Sequence, residues 1–253
     1  MDQRKFLQRI FPKIRSAAQQ KPAQQQDAAE LPHDARGEDT MMQEQHTSQS
    51  TEASESAHYA ANRKAMKYYE YLRSVLLMLS RPEDTILDVG SRGVDMMTFL
   101  PCKKKISIDL EIPLQAEGVE GIAGDYLTHR FEGLDIITCF QVLEHLDDET
   151  VALFAKKLQE EARIAIVTVP YMWRQGQDPK IKHVQDPVSV DKLIGWFGKN
   201  PVHLHLIMEK NGSARLLAVF VKDINPEINL NFWRKIETNI AAMDRKRPNG
   251  PQE

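Results

Sequence analysis

Acidic residues and glycines recur at the ends of apolar runs in the first half of this chain. The segment TILDVGSRG places Asp88 inside an apolar run and puts Gly90 and Gly93 just after it. Asp109, which lies twenty-one residues after Asp88, ends the run KKISID. Glycines allow a tight turn that brings backbone N–H groups against a ligand, and a carboxylate after the second strand can accept both hydroxyl hydrogens of a ribose. This spacing predicts a site for a nucleoside cofactor, without choosing among such cofactors.

Candidate catalytic residues follow in a second group. The motif QVLEHL contains Gln141, Glu144 and His145, and His183 lies later in KIKHVQDP. Histidine has a reference pKa near 6.5, so His145 could act as a base close to neutral pH. Alternatively, LEHL begins a helix in which Glu144 and His145 cap or pack. The sequence leaves both interpretations open.

A loop rich in aromatic and cationic residues precedes and includes His183. Such side chains suit a sugar, a phosphorylated group or an aromatic ring, although the same composition is typical of a solvated loop. The loop residues in question are Tyr171, Trp173, Arg174, Lys180, Lys182 and His183.

These residues must be positioned by alternating strands and helices. Apolar runs at 86–89, 106–108, 119–123, 134–140 and 163–169 predict strands, and helical spacing predicts helices at 94–100, 148–161 and 190–197. An amphipathic helix is predicted to begin near His58. Such alternation is typical of parallel βαβ units and a doubly wound sheet.

The end of the domain has a different pattern. Apolar runs at 202–208 and 214–221 are joined across Asn211 and Gly212, a pair that favours a tight hairpin, so a terminal antiparallel strand is predicted. Helical spacing between residues 225 and 243 predicts a last helix that packs back on the domain.

Four motifs, ILDVGSRG, SIDLE, AGDYL and DIITCFQVLEHLDD, occur in this order and are followed by the hairpin. Together they resemble the class I S-adenosylmethionine (SAM)-dependent methyltransferases over residues 85–222. The resemblance implies an α/β fold with a doubly wound, mostly parallel seven-stranded sheet ending in an antiparallel hairpin. It also implies SAM as cofactor and methyl transfer to an oxygen or nitrogen of a small-molecule or glycan-like acceptor.

The resemblance assigns the first motif to the methionine end of SAM. Asp88 and the backbone of Gly90 would line that end, and Gly93 would help the chain turn toward it. The family's usual glycines would stand where this chain has Arg92 and Val94. The same substitution also departs from the dinucleotide motif, and NAD-binding domains normally lack the terminal hairpin. An NAD-linked oxidoreductase therefore remains only an alternative.

The later motifs would hold the adenosine and the reacting methyl. The resemblance implies that Asp109 binds the ribose hydroxyls and that Asp125 accepts from the adenine amine. Tyr126 or Leu127 would close over the ring, and Gln141 would lie beside the transferring methyl.

The arrangement Glu-x-x-Glu-His with a later histidine resembles the divalent-metal site of small-RNA 2′-O-methyltransferases and some quinone-biosynthesis O-methyltransferases. Gln141 occupies the position of the first carboxylate, so the oxygen shell favoured by magnesium is incomplete and we assign no metal. Metal dependence stays an alternative.

Composition limits the classes of partner and indicates the domain organisation of this chain. A net charge of −3 makes nucleic acid an unlikely partner, and two cysteines without a CxxC pair favour a reducing cytoplasm. We predict a basic amphipathic segment and disordered linker at 1–57, a methyltransferase-like domain at 58–243 and a flexible tail at 244–253. Residues 4–15 are a candidate contact with a membrane surface or partner. The remaining alternative is a SAM-fold scaffold without turnover.

Overall fold

The computed structural model describes residues 61–63, 65–174, 182–210 and 212–246, with side chains described up to residue 242. The predicted membrane or partner segment at 4–15, the linker, Lys180, Asn211 and the tail from residue 247 lie outside these residues. None of the described helices combines the length and apolarity needed to cross a bilayer.

Seven strands form one sheet in the order β3-β2-β1-β4-β5-β7-β6. The first five run parallel, and β7 lies antiparallel to both β5 and β6. The strands are β1 (Thr85–Val89), β2 (Lys104–Asp109), β3 (Glu120–Ala123), β4 (Leu134–Phe140), β5 (Ala162–Pro170), β6 (His203–Met208) and β7 (Ala214–Val221). The predicted fold class is confirmed, including the terminal antiparallel hairpin.

In the described part of the chain, the sheet is accompanied by the α-helices α1 (Lys67–Leu79), α2 (Asp148–Glu161), α3 (Val190–Phe197) and α4 (Asn231–Lys246). Asp147 caps α2 by accepting from the N–H of Thr150, and Ser189 caps α3 by accepting from that of Lys192. The predicted start of the first helix, near His58, lies outside the described residues, and residues 61–63 are also helical. Helix α4 begins at Asn231, within the segment 225–243 whose spacing predicts a last helix.

Apolar side chains fill both faces of the sheet. One core packs α1 against the sheet through residues such as Leu72 and Leu76, and the other packs α2 and α3 through residues such as Leu158 and Leu193. All five residues of β1 are buried because helices cover both faces of a central parallel strand.

The prediction of a helix at 94–100 is wrong, because these residues form turns. The carboxylate of Asp95 accepts from the backbone N–H groups of Met97 and Thr98, at 3.1 and 2.9 Å, and from the hydroxyl of Thr98. The hydroxyl of Tyr69 donates to the backbone carbonyl of Asp95. These bonds use groups that a short helix would need for nucleation, and Pro101 follows at once.

Candidate active site

The carboxyl ends of β1, β2 and β3 are joined by backbone hydrogen bonds. The N–H of Gly90 donates to the carbonyl of Ile108 at 2.8 Å, and the N–H of Gly124 donates to that of Asp109 at 2.8 Å. These bonds bring the loop after β1, the end of β2 and the loop after β3 to one edge of the sheet. Asp88, Asp109 and Asp125 therefore belong to three neighbouring strand ends, as the sequence predicts.

Asp109 holds the loop that follows β1. Its Oδ2 accepts from the N–H of Arg92 at 2.9 Å, and its Oδ1 accepts from the N–H groups of Glu111 and Ile112 at 3.0 and 2.9 Å. A carboxylate oxygen has two lone-pair sites, so Oδ2 keeps one acceptor site for a ribose hydroxyl. Asp109 thus shapes the glycine loop, a role that its sequence position did not predict.

The loop between β1 and residue 94 is unusually curved. Gly90, Arg92 and Gly93 all have left-handed backbone dihedrals, with φ of 77°, 45° and 70°. Glycine adopts this region without strain, whereas arginine does not. Arg92 nevertheless occupies a position where the family pattern would place glycine. The N–H bond to Asp109 explains how this loop forms with an arginine at that position.

Asp125 starts a turn of 3₁₀ helix at Tyr126–Thr128. Its Oδ1 accepts from the N–H of Leu127 at 2.9 Å, and its backbone carbonyl lies 2.9 Å from Nδ1 of His129. The half-buried carboxylate lies just beyond β3, in a position compatible with an adenine amine.

Tyr126 is a core residue. It is 3% exposed, its ring centroid lies 4.9 Å from that of Phe154, and its hydroxyl donates to Glu161 at 3.0 Å. The side chain is directed into the core beneath the sheet edge, so this ring does not close over a nucleoside at the edge. The neighbouring Leu127 is half-buried, and it remains the residue predicted to close over the adenine ring.

Asp88 lies under the glycine loop. It is 3% exposed, and the hydroxyl of Thr138 donates to its Oδ1 at 2.6 Å. Burial raises the pKa of this carboxyl from 3.8 to about 7, since desolvation outweighs the bond from Thr138. The proposed contact of Asp88 with the methionine end stays a prediction.

Gly90 leaves no room for a side chain. A Cβ at this position would meet Cγ2 of Val142 at 2.4 Å, in addition to the strain of a φ of 77°. Gly118 has a similar φ of 74° with nothing within 4 Å of the added atom. These two glycines therefore separate backbone strain from steric overlap.

We expect Gly90→Ala to lower the free energy of unfolding by about 2 kcal/mol, because strain and overlap add. Gly118→Ala, the matched control, carries strain alone and should cost about 1 kcal/mol. Urea unfolding measures both variants. Equal losses would show that Val142 does not confine the loop.

Gln141 follows β4 with a left-handed φ of 58°. Its backbone N–H donates to the carbonyl of Thr168 at 2.9 Å, and its side-chain Nε2 donates to the Thr168 hydroxyl at 3.2 Å. The next residue, Val142, abuts Gly90, so Gln141 lies close to the glycine loop. Its predicted contact with the transferring methyl stays a prediction.

Glu144, His145 and His183 meet beyond β4. Each offers a ligand atom within 4.8 Å of the others, and the Nε2 of His183 lies 4.0 Å from Oε1 of Glu144. Glu144 and His145 belong to a 3₁₀ turn, Leu143–His145, which agrees with the helical alternative as well as with a site. The structure therefore brings three of the four predicted catalytic side chains together.

Buried charge governs this cluster. Glu144 is fully buried, and neither of its carboxylate oxygens has a hydrogen-bond partner among the described residues. Burial raises its pKa from 4.5 to about 7. Burial also lowers the pKa of His145, which favours the neutral imidazole, the form that can accept a proton.

Neighbouring acceptors orient both histidines. The Nδ1 of His183 lies 2.7 Å from Oδ2 of Asp186, and the Nδ1 of His145 lies 3.0 Å from the carbonyl of Lys182. These contacts leave the two Nε2 atoms for the cluster. Trp173 packs edge to face on His183, with ring centroids 5.7 Å apart.

Other loop residues divide between the core and this cluster. Tyr171 is buried, and its hydroxyl donates to Glu237 of α4 at 3.2 Å. It therefore anchors the last helix instead of facing an acceptor, whereas Trp173 faces the histidines as the aromatic composition predicts.

A cleft opens beside the glycine loop. It has a volume of about 360 Å³ including its mouth, and Gly90 and Ser91 form one wall. Arg63, Tyr68 and Phe140 contribute to its other walls. The sequence did not single out Arg63 or Tyr68, because both belong to a region that reads as an ordinary amphipathic helix.

The strand order identifies where a ligand enters this sheet. The order reverses at β1, which lies between β2 and β4, and ligands of open α/β sheets bind outside the carboxyl ends at such a point. The sheet closes with β7 antiparallel between β5 and β6, as the resemblance implies.

This is the class I methyltransferase fold. Neither a protein-family profile nor a curated protein sequence matches this chain. Solved structures with similarity to it include the methyltransferase domain of bacterial CtHen1, at 17% identity and a TM-score of 0.47, covering 63% of this chain and 97% of that one.

Two further structures have similar scores. The mitomycin 7-O-methyltransferase MmcR is 13% identical, with a TM-score of 0.44, and the match covers 60% of this chain and 53% of MmcR. A putative O-methyltransferase from Nostoc punctiforme is 13% identical, with a TM-score of 0.43 and coverage of 60% and 56%. At such low values the class I methyltransferase fold rests on the strand order and not on these matches.

Proposed function

We propose that this chain is a SAM-dependent methyltransferase that acts on an oxygen or nitrogen of a small-molecule or glycan-like acceptor. The observation that carries the proposal is the placement of Asp109 and Asp125 at neighbouring strand ends beside the glycine loop. Carboxylates satisfy the hydroxyl and amine donors of an adenosine, and the adjoining cleft could take the methionine end.

Methyl transfer from a sulfonium is an in-line displacement, so alignment and exclusion of water supply much of the rate. A hydroxyl acceptor must also lose a proton. His145 is the candidate base, since its pKa is lowered by burial and its Nδ1 is held by the Lys182 carbonyl. His183, held by Asp186, is the second candidate.

Calorimetry with SAM and with its demethylated product, S-adenosylhomocysteine (SAH), tests the cofactor. We expect both to bind the full chain, and absence of binding at millimolar ligand would end the proposal. Transfer of a labelled methyl from SAM into cell extract, fractionated into metabolites, glycans and RNA, then tests activity and acceptor. Binding without transfer into any fraction would favour the scaffold alternative.

A specific observation favours a metal-assisted version of the same function. The cluster of Glu144, His145 and His183 has the donors of a nitrogen and oxygen site, and the unpartnered Glu144 carboxylate requires either a proton or a cation. A bound divalent ion would supply Lewis-acid activation of an acceptor hydroxyl. The neutral Gln141 would be a weak additional ligand.

We expect the full chain to bind one Mn²⁺ per molecule, measured by calorimetry after removal of metals with EDTA. His183→Ala should weaken binding at least tenfold because it removes one ligand. His205→Ala is the matched control, since His205 lies on β6 and stacks on Tyr71. Undiminished binding to the His183 variant would exclude this cluster as the metal site.

A further inference from the structure

A buried arginine stands beside the candidate active site. Arg215 is the second residue of β7, where it pairs with Pro170 at the end of β5. It is 4% exposed, and its Nε has no hydrogen-bond partner among the described residues. Its Nη1 donates to the carbonyl of Ala214 at 3.3 Å. The sequence signal is a single cation in the otherwise apolar run of β7.

Aromatic rings hold this guanidinium in place. Its central carbon lies 5.1 Å from the ring centroid of Trp173 and 5.8 Å from that of Tyr68. Trp173 also contacts His183, and Tyr68 lines the cleft beside Gly90. Arg215 is therefore one indole ring away from the cluster that we propose acts on the acceptor.

A second guanidinium lies on the same tyrosine. Nη1 of Arg63 donates to the Tyr68 hydroxyl at 3.0 Å, and its central carbon lies 5.9 Å from the Tyr68 ring centroid. Arg63 also lines the cleft. Burial, and then the charge of Arg63, lower the pKa of Arg215, so the two cations are close enough to repel.

The nearby acids do not neutralise Arg215 directly. Among the described residues, no carboxylate oxygen lies within 4.0 Å of Arg215. Glu209 uses its two oxygens to accept from the N–H groups of Lys67 and Tyr68, each at 3.0 Å. A buried cation without a direct ion pair is costly, and a bound anion would relieve that cost.

We propose that the methyl acceptor carries a phosphate or carboxylate group, and that Arg215 binds this group together with Arg63. A planar guanidinium matches either anion through paired N–H donors. The anion would anchor the acceptor beside Trp173, with its reacting atom near the cluster of Glu144, His145 and His183. This inference rests on the proposed function, because it assigns the acceptor class of that site.

Calorimetric titration of the full chain, saturated with SAH, tests the anion site. Inorganic phosphate and acetate are titrated separately at constant ionic strength, so that the two arms distinguish phosphate from carboxylate. We expect millimolar binding of at least one anion. At saturating SAH, Arg215→Met and Arg63→Met should each weaken that binding about tenfold or more, while the SAH affinity of Arg215→Met stays within twofold of the wild type.

Arg234→Met is the matched control, because Arg234 is exposed on α4 and pairs with Asp191 at 2.8 Å. It should bind the anion like the wild type. The proposal is overturned if SAH binds but neither anion does, or if the anion binds equally to the Arg215 and Arg63 variants. If Arg215→Met does not fold, the anion titration of Arg63→Met alone decides whether the proposal holds.

Failure of the proposed function has a different signature. In that case SAH does not bind, whereas the phosphate and acetate titrations of the SAH-free chain still report whether Arg215 and Arg63 form an anion site.

Discussion

Asp109→Ala is expected to weaken SAM binding about 10- to 100-fold and also to destabilise the domain. The affinity loss follows because ribose hydroxyls that lose a carboxylate acceptor are left imperfectly paired, which costs about 1 to 3 kcal/mol. The stability loss follows because the same carboxylate accepts from three backbone N–H groups, those of Arg92, Glu111 and Ile112. At about 1 kcal/mol for each bond, we expect a fall of about 2 to 3 kcal/mol in unfolding free energy.

Calorimetry with SAM and urea unfolding measure the two effects separately. Asp147→Ala is the matched control, because Asp147 also accepts from a backbone N–H but caps α2 away from the glycine loop. It should lose about 1 kcal/mol of stability and keep its SAM affinity. Unchanged affinity in the Asp109 variant would remove this residue from the cofactor site, and unchanged stability would show that it does not hold the loop.

Asp88 should make the stability of the domain fall as the pH rises. Its folded-state pKa of about 7 lies above the unfolded value of 3.8, so the folded state binds the extra proton. The stabilisation is fully present below pH 3.8 and is lost as the pH rises through 7. From the size of the shift, the loss amounts to roughly 4 kcal/mol.

Asp88→Asn removes this titration, so its unfolding free energy relative to the wild type should rise between pH 4 and pH 8. Urea unfolding at several pH values measures this difference. Asp223→Asn, at an exposed position after β7, is the control and should show a constant offset. Glu144 adds a slope of the same sign, since its pKa is also raised to about 7, but this slope cancels in the difference between the two proteins. Parallel curves for Asp88→Asn and the wild type would contradict the prediction.

The helices and strands illustrate what local sequence can determine. The predicted bounds of β4, β7, α2 and α3 are confirmed to the residue, because buried strands read as continuous apolar runs and amphipathic helices repeat every three to four residues. The antiparallel end of the sheet was also readable, since the hairpin signal lies within a few residues of chain. The placement of the acidic residues at strand ends follows from the same local patterns.

The segment at 94–100 and Tyr126 show where local patterns fail. In the first, the side chain of Asp95 takes the N–H groups that a helix would use, and a tyrosine from α1 takes the carbonyl. In the second, an aromatic residue beside a ligand motif is drawn into the core by Phe154 and Glu161. In such cases the local structure is decided by side-chain hydrogen bonds and by contacts with residues far away in the chain.

The sequence by itself determined the positions of the strands, the terminal hairpin and the acidic positions 88, 109 and 125. Each of these depends on residues that lie near one another in the chain. Only the tertiary structure decided that Asp109 holds the loop around Arg92, that Glu144 meets His183, and that Arg215 and Arg63 share one tyrosine. These contacts join elements far apart in the chain. Glu144 and Arg215 are buried, and there charges and unpaired polar atoms become costly enough to require partners.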